Sequence, residues 1–329
     1  MNTRTAIVIV GYGNVGRGVH HAIARSPDMM LAGIISRDPQ RVAGEVGGVP
    51  LYARDDETTW RTRLVADVAV LCGGSAVDLP EQGPFFARFF NTVDSFDTHP
   101  DIPSYFETMD TVARKAGTVS IISTGWDPGT FSLERVLADA FIPGASHYTF
   151  WGRGVSQGHS DAARHVKGVK DARQYTIPIP KAMERVRSGE NPSLCQREKH
   201  RRLVYVVAED GADEDRIARE IKGMPNYYSD YDTEVVFVTD AEMKRDHAAY
   251  PHAGFVLASG TTGGGNKALI EYRCEWGSNP EATGSILVAH ARAAARLSRQ
   301  QRWGAFTILD LPAAYLSPHP ADELRRKYL

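Results

Sequence analysis

The first apolar block of the chain, residues 5–10 (TAIVIV), is unbroken and rich in β-branched side chains. That is the pattern of a parallel strand covered on both faces. A glycine-punctuated turn follows at residues 11–16, and then residues 17–25 place Val19, Ala22 and Ile23 at helical spacing until Pro27 stops the helix. Residues 30–35 (MLAGII) form a second buried strand and complete a βαβ unit. The alternation continues. Residues 67–72 (DVAVLC) predict a third strand, ending in a Gly73-Gly74-Ser75 turn. A helix over 84–90, a short strand at Thr92 and Val93, a helix over 103–116 and a strand over 119–123 come next. Strand and helix in alternation through residue 125 predict an α/β domain with a doubly wound parallel sheet of the Rossmann type.

Beyond Gly125 the pattern changes to strands at 148–151, 203–208, 234–238 and 255–258, with helices at 132–140, 181–187 and 213–222. This predicts an α+β second domain over 126–279, built on a mixed or antiparallel sheet, with the glycine-rich run at 261–266 irregular. Residues 282–300 are rich in Ala and Arg with no interior Pro, a strong helix former, and strand-like 305–309 follows. Residues 280–329 are expected to return to the first domain. The charge-rich end ADELRRKYL reads as a solvated helix.

Composition narrows the class further. Of 329 residues, 42% are hydrophobic and 24% charged, which excludes a disordered or fibrous chain. A net charge of −2 gives no electrostatic reason to expect nucleic acid. Cys72, Cys195 and Cys274 are far apart and form no CxxC pair, so neither a disulfide framework nor a zinc site is expected, and the thiols read as reduced in a cytoplasmic protein. No metal is expected. The N-terminal residues lack a signal-peptide pattern, and no stretch approaches the roughly 18 apolar residues of a membrane helix.

The chemistry begins at Gly11, Tyr12, Gly13, Asn14, Val15 and Gly16, which match GxGxxG between a buried strand and a helix. In that context Gly11 permits the tight turn, Gly13 admits a pyrophosphate to the backbone, and Gly16 allows close helix–strand packing. The positive end of the helix dipole and its free N–H groups would bind the anion. Ser36 and Arg37 stand at the end of the second strand, where NAD-binding chains usually carry an acid, and so favour NADP. Asp38 follows one or two residues late, the position of a turn cap. Cys72, Gly73, Gly74 and Ser75 close the third strand at the edge where ligands collect.

Further along, Asp94 and Asp97 follow a predicted strand (NTVDSFDTH), and Trp126 and Asp127 stand in STGWDPG at another strand end. Trp151, Gln157, Gly158, His159 and Asp161 share the segment FWGRGVSQGHSD. Arg201 and Arg202 precede a strand, and His252 stands in YPHAGF. These segments are unusually dense in residue types that bind small polar molecules.

The ordered series GYGNVG, SR, TVDSFDTH-DIP, STGWDPG-FS, FWGRGVSQGHSDA, QYT-P, HRR and PHAG resembles the meso-diaminopimelate dehydrogenase family over residues 5 to about 310. The resemblance implies NADP-dependent reversible oxidative deamination at the D-centre of meso-2,6-diaminopimelate. The product would be L-2-amino-6-oxopimelate, which cyclises to tetrahydrodipicolinate, with release of ammonia. It further implies that Asp97 and Asp127 hold the reacting ammonium, and that Trp126 and Trp151 shape the pocket. Gln157 and Gly158 would present polar groups, while Thr176, Arg202, His252 and Asn279 would hold the distal amino-acid end. The second domain would also serve dimerisation, giving a homodimer. Departures from the family pattern stand at residues 41–60, which read long between two strands, at Arg153 in place of Pro, and around PHAGF and GGGNK. Alternatives are a related oxidoreductase of the aspartate pathway (dihydrodipicolinate reductase or homoserine dehydrogenase), a broad-range D-amino-acid dehydrogenase, or a dinucleotide-sensing regulator.

Overall fold

The computed structural model describes residues 4–329. The N-terminal elements are β1 (Thr5–Val10), α1 (Asn14–Ala24), β2 (Met29–Ser36), α2 (Pro39–Ala43), β3 (Leu51–Ala53), α3 (Glu57–Arg63), β4 (Val68–Leu71) and α4 (Leu79–Phe86). After them come β5 (Asn91–Asp94), α5 (Ile102–Ala116), β6 (Val119–Ile121) and α6 (Thr130–Phe141). The chain then runs through β7 (Ser146–Trp151), β8 (Gly154–Ser156), α7 (Gln157–Arg164), β9 (Val169–Pro178), α8 (Pro180–Arg187), α9 (Gln196–Lys199) and β10 (His200–Ala208). It continues with α10 (Glu214–Gly223), β11 (Asp232–Phe237), α11 (Asp240–Asp246), β12 (His252–Thr261) and β13 (Lys267–Trp276). The long α12 (Asn279–Arg299), β14 (Gly304–Phe306) and α13 (Ala321–Tyr328) end it.

Two compact units result. One comprises the residues up to Leu133 together with Pro280–Leu329, and the other is Glu134–Asn279, so the division falls inside α6. The first unit holds a seven-stranded sheet in the order β14-β6-β5-β4-β1-β2-β3, parallel throughout. The alternation of side chains along β1 explains its unbroken apolar run. Ile7 and Ile9 pack with Val19 and Ile23 of α1 and with Leu287 and Ala291 of α12. Val8 and Val10 face the other way, against Trp60, Leu79, Phe86 and Met109. Both layers are fully buried, as a doubly wound sheet requires. The C-terminal return is built on small residues: a Cβ on Gly284 of α12 would come within 2.4 Å of the Gly18 backbone of α1.

The segment at 41–60, which reads as a long connection, contains the end of α2, the edge strand β3 and the start of α3. Elements of three to five residues are too short to display a hydrophobic period. The helix expected over 84–90 instead occupies Leu79–Phe86, with Pro80 in its first turn, where no N–H partner is needed, and Pro84 inside it.

The second unit holds a mixed four-stranded sheet, β11-β10-β9-β8, and an antiparallel three-stranded sheet, β13-β12-β7. The TTGGGN run is the turn between β12 and β13, closed by Thr262 N–H donating to the Asn266 carbonyl at 2.9 Å. The two sheets of this unit meet at Gly152 and Gly154. Gly152 N–H donates to the Ala253 carbonyl at 2.6 Å, and Val155 N–H to the Pro251 carbonyl at 2.9 Å. Gly152 has φ +109° and a Cβ there would lie 2.1 Å from the Thr176 carbonyl oxygen; one on Gly154 would lie 2.4 Å from His252 Nδ1. Only glycine fits either position.

Candidate active site

In the first unit, the β1–α1 turn carries Gly11 at φ +88°. A Cβ on Gly16 would come within 2.3 Å of the Gly11 carbonyl oxygen, so Gly16 is the close-packing glycine of the turn. No atom lies within 4 Å of a Cβ built on Gly13, which leaves the start of α1 open. A cavity of about 420 Å³ opens there, bounded by Gly11, Tyr12 and Gly13, by Ser36 and Arg37 at the end of β2, and by Cys72, Gly73 and Gly74 after β4. It lies at the carboxyl ends of β1 and β4, where the strand order reverses and such sheets bind ligands.

Asp38 is turned to another task. Its carboxylate caps α2 by accepting from Arg41 N–H at 3.0 Å, while its own N–H donates to Ser36 Oγ at 3.1 Å. Arg37 is exposed and 4.0 Å from Asp78. Arg41 and Arg54 also line the cavity. Arg54 arrives because β3 pairs with β2 and its N–H donates to the Ser36 carbonyl at 2.9 Å. Three arginines thus line the cavity, together with Asp38 and Asp78. Gln82 also lines the cavity, with a buried Oε1 that has no hydrogen-bond partner. Burial pushes the Cys72 thiol up to about 12, so it stays a thiol rather than a nucleophile. Asn14, Val15, Gly16 and Ser75 do not line the cavity. Asn14 accepts from Arg17 at 3.2 Å and Val15 packs on the core.

Ser75 points to a second group of residues. Its Oγ accepts from Asp97 N–H at 2.8 Å. Asp97 is exposed on the loop after β5, and Asp127 is half-buried on the loop after β6. The second loop folds over Gly129, at φ +134°, where a Cβ would lie 1.8 Å from the Gly125 carbonyl oxygen. Trp126 is buried edge-on to Phe131 at 5.0 Å. Asp94, which shares a segment with Asp97, is wholly buried and bonded to both loops.

In the second unit, β10 alternation separates the two arginines: Arg201 is exposed and Arg202 is 6% exposed. Arg202 pairs in register with Thr176 on β9, and Thr176 in turn with Gly154 on β8. The guanidinium donates to Thr176 Oγ1 and lies 3.9 Å over the Tyr231 ring. No ion pair involves Arg202 among the described residues, and its Nε has no partner. The histidines nearby are held neutral. Burial, reinforced by the Arg202 charge, lowers His200 to about 3 and His159 to about 4, and burial lowers His252 to about 4. His200 Nε2 accepts from Trp151 N–H at 2.8 Å, and its ring stacks on the indole. Gln157 and Gly158 are exposed at the start of α7. Asn279 is tied beside the start of β12 by its N–H donating to the Tyr250 carbonyl at 2.8 Å; its buried Oδ1 has no partner. Asp161 pairs with Arg164 at 3.0 Å, an ordinary surface bridge.

A doubly wound sheet with a glycine- and arginine-lined cavity at its switch point defines a dinucleotide-binding protein of the Rossmann class. Comparison with known proteins narrows the class. Residues 125–278 match the diaminopimelic acid dehydrogenase C-terminal domain. The chain is 52% identical over 328 residues to the meso-diaminopimelate D-dehydrogenase of Ureibacillus thermosphaericus, covering 99% of this chain and 100% of that one. A six-substitution mutant of the meso-dapdh from Clostridium tetani E88, solved with DAP, is 47% identical with a TM-score of 0.92, covering 99% and 100% of the two chains. An engineered D-amino acid dehydrogenase bound to NADP+ is 41% identical with a TM-score of 0.86 and the same coverage. The chain belongs to the meso-diaminopimelate D-dehydrogenase family.

Proposed function

We propose that this chain catalyses the NADP-dependent, reversible oxidative deamination of meso-2,6-diaminopimelate at its D-centre, giving L-2-amino-6-oxopimelate and ammonia. The observation that carries the reading is Arg202, a buried cation paired with a hydroxyl and an aromatic face rather than a carboxylate. A buried guanidinium without a counter-ion is costly unless a ligand supplies one. The distal carboxylate of the substrate is that ligand. The Clostridium tetani mutant adds support, because its substituted Gln, Thr, Arg, Pro, His and Asn follow the order and spacing of Gln157, Thr176, Arg202, Pro251, His252 and Asn279 here.

The first unit's cavity suits NADP: Gly13 leaves room for a pyrophosphate, and Arg37, Arg41 and Arg54 offer cations for the 2′-phosphate. When bound, NADP supplies the hydride acceptor. The chain's own residues then orient the substrate. Asp97 and Asp127 hold the reacting ammonium, with carboxylate oxygens at hand for its proton. Trp126 and Trp151 shape the space, and Gln157 and Gly158 offer polar groups. Thr176, Arg202, His252 and Asn279 fix the distal L-amino-acid end, so that only the D-centre reacts. By the same family reading the enzyme acts in the cytoplasm as a homodimer. The deciding assay is NADPH formation with meso-diaminopimelate compared with homoserine. Turnover of homoserine alone would sink the proposal.

A further inference from the structure

Asp94 ends β5 and is wholly buried, yet none of the roles above uses it. Its Oδ1 accepts from Phe96 N–H at 3.0 Å and from Ser123 N–H at 3.1 Å. Oδ2 accepts from the Tyr105 hydroxyl at 2.8 Å, and the Tyr105 ring stacks on Phe96 at 4.2 Å. The Asp94 carbonyl accepts from Thr124 twice, from the N–H and from Oγ1, each at 2.9 Å. Phe96 immediately precedes Asp97, and Ser123 and Thr124 begin the loop that carries Asp127. Ser123 itself sits at φ +55°, a conformation that needs outside support in a non-glycine residue. One buried side chain therefore joins the backbones of both carboxylate-bearing loops.

We infer that Asp94 is a positioning residue that fixes the loops of Asp97 and Asp127 relative to each other, and so sets the ammonium site. A buried, fully bonded network specifies one geometry, whereas two independent surface loops would sample many. Burial raises the Asp94 carboxyl against three donors that lower it, as expected for a group bonded on both oxygens inside the fold. The inference rests on the reading that Asp97 and Asp127 hold the ammonium.

The test is reductive amination, with KM for ammonia as the readout, because a KM does not depend on how much of the sample is folded. Asp94→Ala should raise the ammonia KM about tenfold or more, the scale of a lost charge-assisted contact, with the NADPH KM within about twofold. Asp94→Asn can keep both N–H bonds through its carbonyl, and should restore the ammonia KM to within about threefold of wild type. Should the Ala variant not fold, Tyr105→Phe removes one hydrogen bond while keeping the stack, and should raise the same KM by a smaller factor. An unchanged ammonia KM in Asp94→Ala, or in Tyr105→Phe where that variant stands in, overturns the positioning role. So does an Asn variant as impaired as Ala. Asp97→Asn and Asp127→Asn run in parallel: a defect there with normal Asp94 variants sinks only the positioning role, while normal kinetics there sink the ammonium reading itself.

Discussion

Arg202 and Thr176 face each other across the β9–β10 ladder, the guanidinium donating to the threonine hydroxyl. Gln174, buried two residues before Thr176, donates its amide to the same oxygen at 3.3 Å. With two donors on that oxygen, the hydroxyl proton must point elsewhere. The pair therefore presents N–H and O–H donors together, which is the chemistry a carboxylate needs.

Removing the cation should be selective for substrates that carry the distal carboxylate. Arg202→Leu should raise KM for meso-diaminopimelate sharply, at a cost of about 2–4 kcal/mol for a carboxylate left unpaired in a desolvated place. D-alanine, which lacks that carboxylate, should be a poor substrate of the wild type and lose little more in the variant. Equal losses on both substrates would mean that Arg202 supports the fold instead.

Cofactor choice depends on the arginines around the first cavity. Arg37 is exposed, so screening weakens its contribution, and Arg54 shares the same rim. Arg37→Ala should cut the preference in kcat/KM for NADP over NAD by roughly tenfold, and adding Arg54→Ala should cut it further. Wild-type enzyme using both cofactors equally would end the assignment.

The neutral histidines set an acid limit. His200 has its pKa lowered from 6.5 to about 3, so its neutral form is favoured by the fold. The unfolded chain then takes up the proton first as pH falls. Stability is complete above 6.5 and is lost progressively toward 3. His159 and His252, lowered to about 4, act in the same direction. His200→Gln keeps an acceptor for Trp151 N–H but cannot titrate, so its Tm should fall less than that of wild type between pH 6.5 and 4. Parallel Tm curves would contradict the assignment.

Much of this arrangement is legible in the sequence where one short stretch carries the whole signal. β1 and its glycine turn are read from an unbroken apolar run and the GxGxxG spacing, and α12 from its alanines. β13 alternates strictly, Ala268, Ile270, Tyr272, Cys274 and Trp276 against Lys267, Glu271, Arg273 and Glu275, a strand signal that is there to read. β9 is obscured because the polar Gln174 and Thr176 take buried positions in it. Arg54 joins the cavity only through the pairing of a three-residue edge strand. Asp94 and Asp97 look alike in the sequence, three residues apart after one strand. Only tertiary packing makes one the buried tie between loops and the other an exposed group bonded through its N–H to Ser75.

That burial should be visible in stability as well as kinetics. The Asp94 carboxyl is pushed up from 3.8 to about 6, chiefly by desolvation against its three hydrogen bonds. A raised carboxyl pKa means that the folded protein holds this proton more tightly than the unfolded chain. Asp94 is therefore least costly below 3.8, and its contribution worsens as pH rises through 6, levelling off above it. A rise of that size corresponds to about 3 kcal/mol at neutral pH, the cost of ionising a carboxyl in this buried place. Asp94→Asn removes the titration, and the Tyr105 hydroxyl can turn toward the Leu79 carbonyl, 3.4 Å away. The variant should then match wild-type Tm near pH 4 and exceed it by several degrees at pH 7.5. Melting both proteins across that range measures the difference directly, and titrations shared by the two cancel. A gap that stays constant or shrinks as pH rises would show that Asp94 is already relieved of its buried charge at neutral pH.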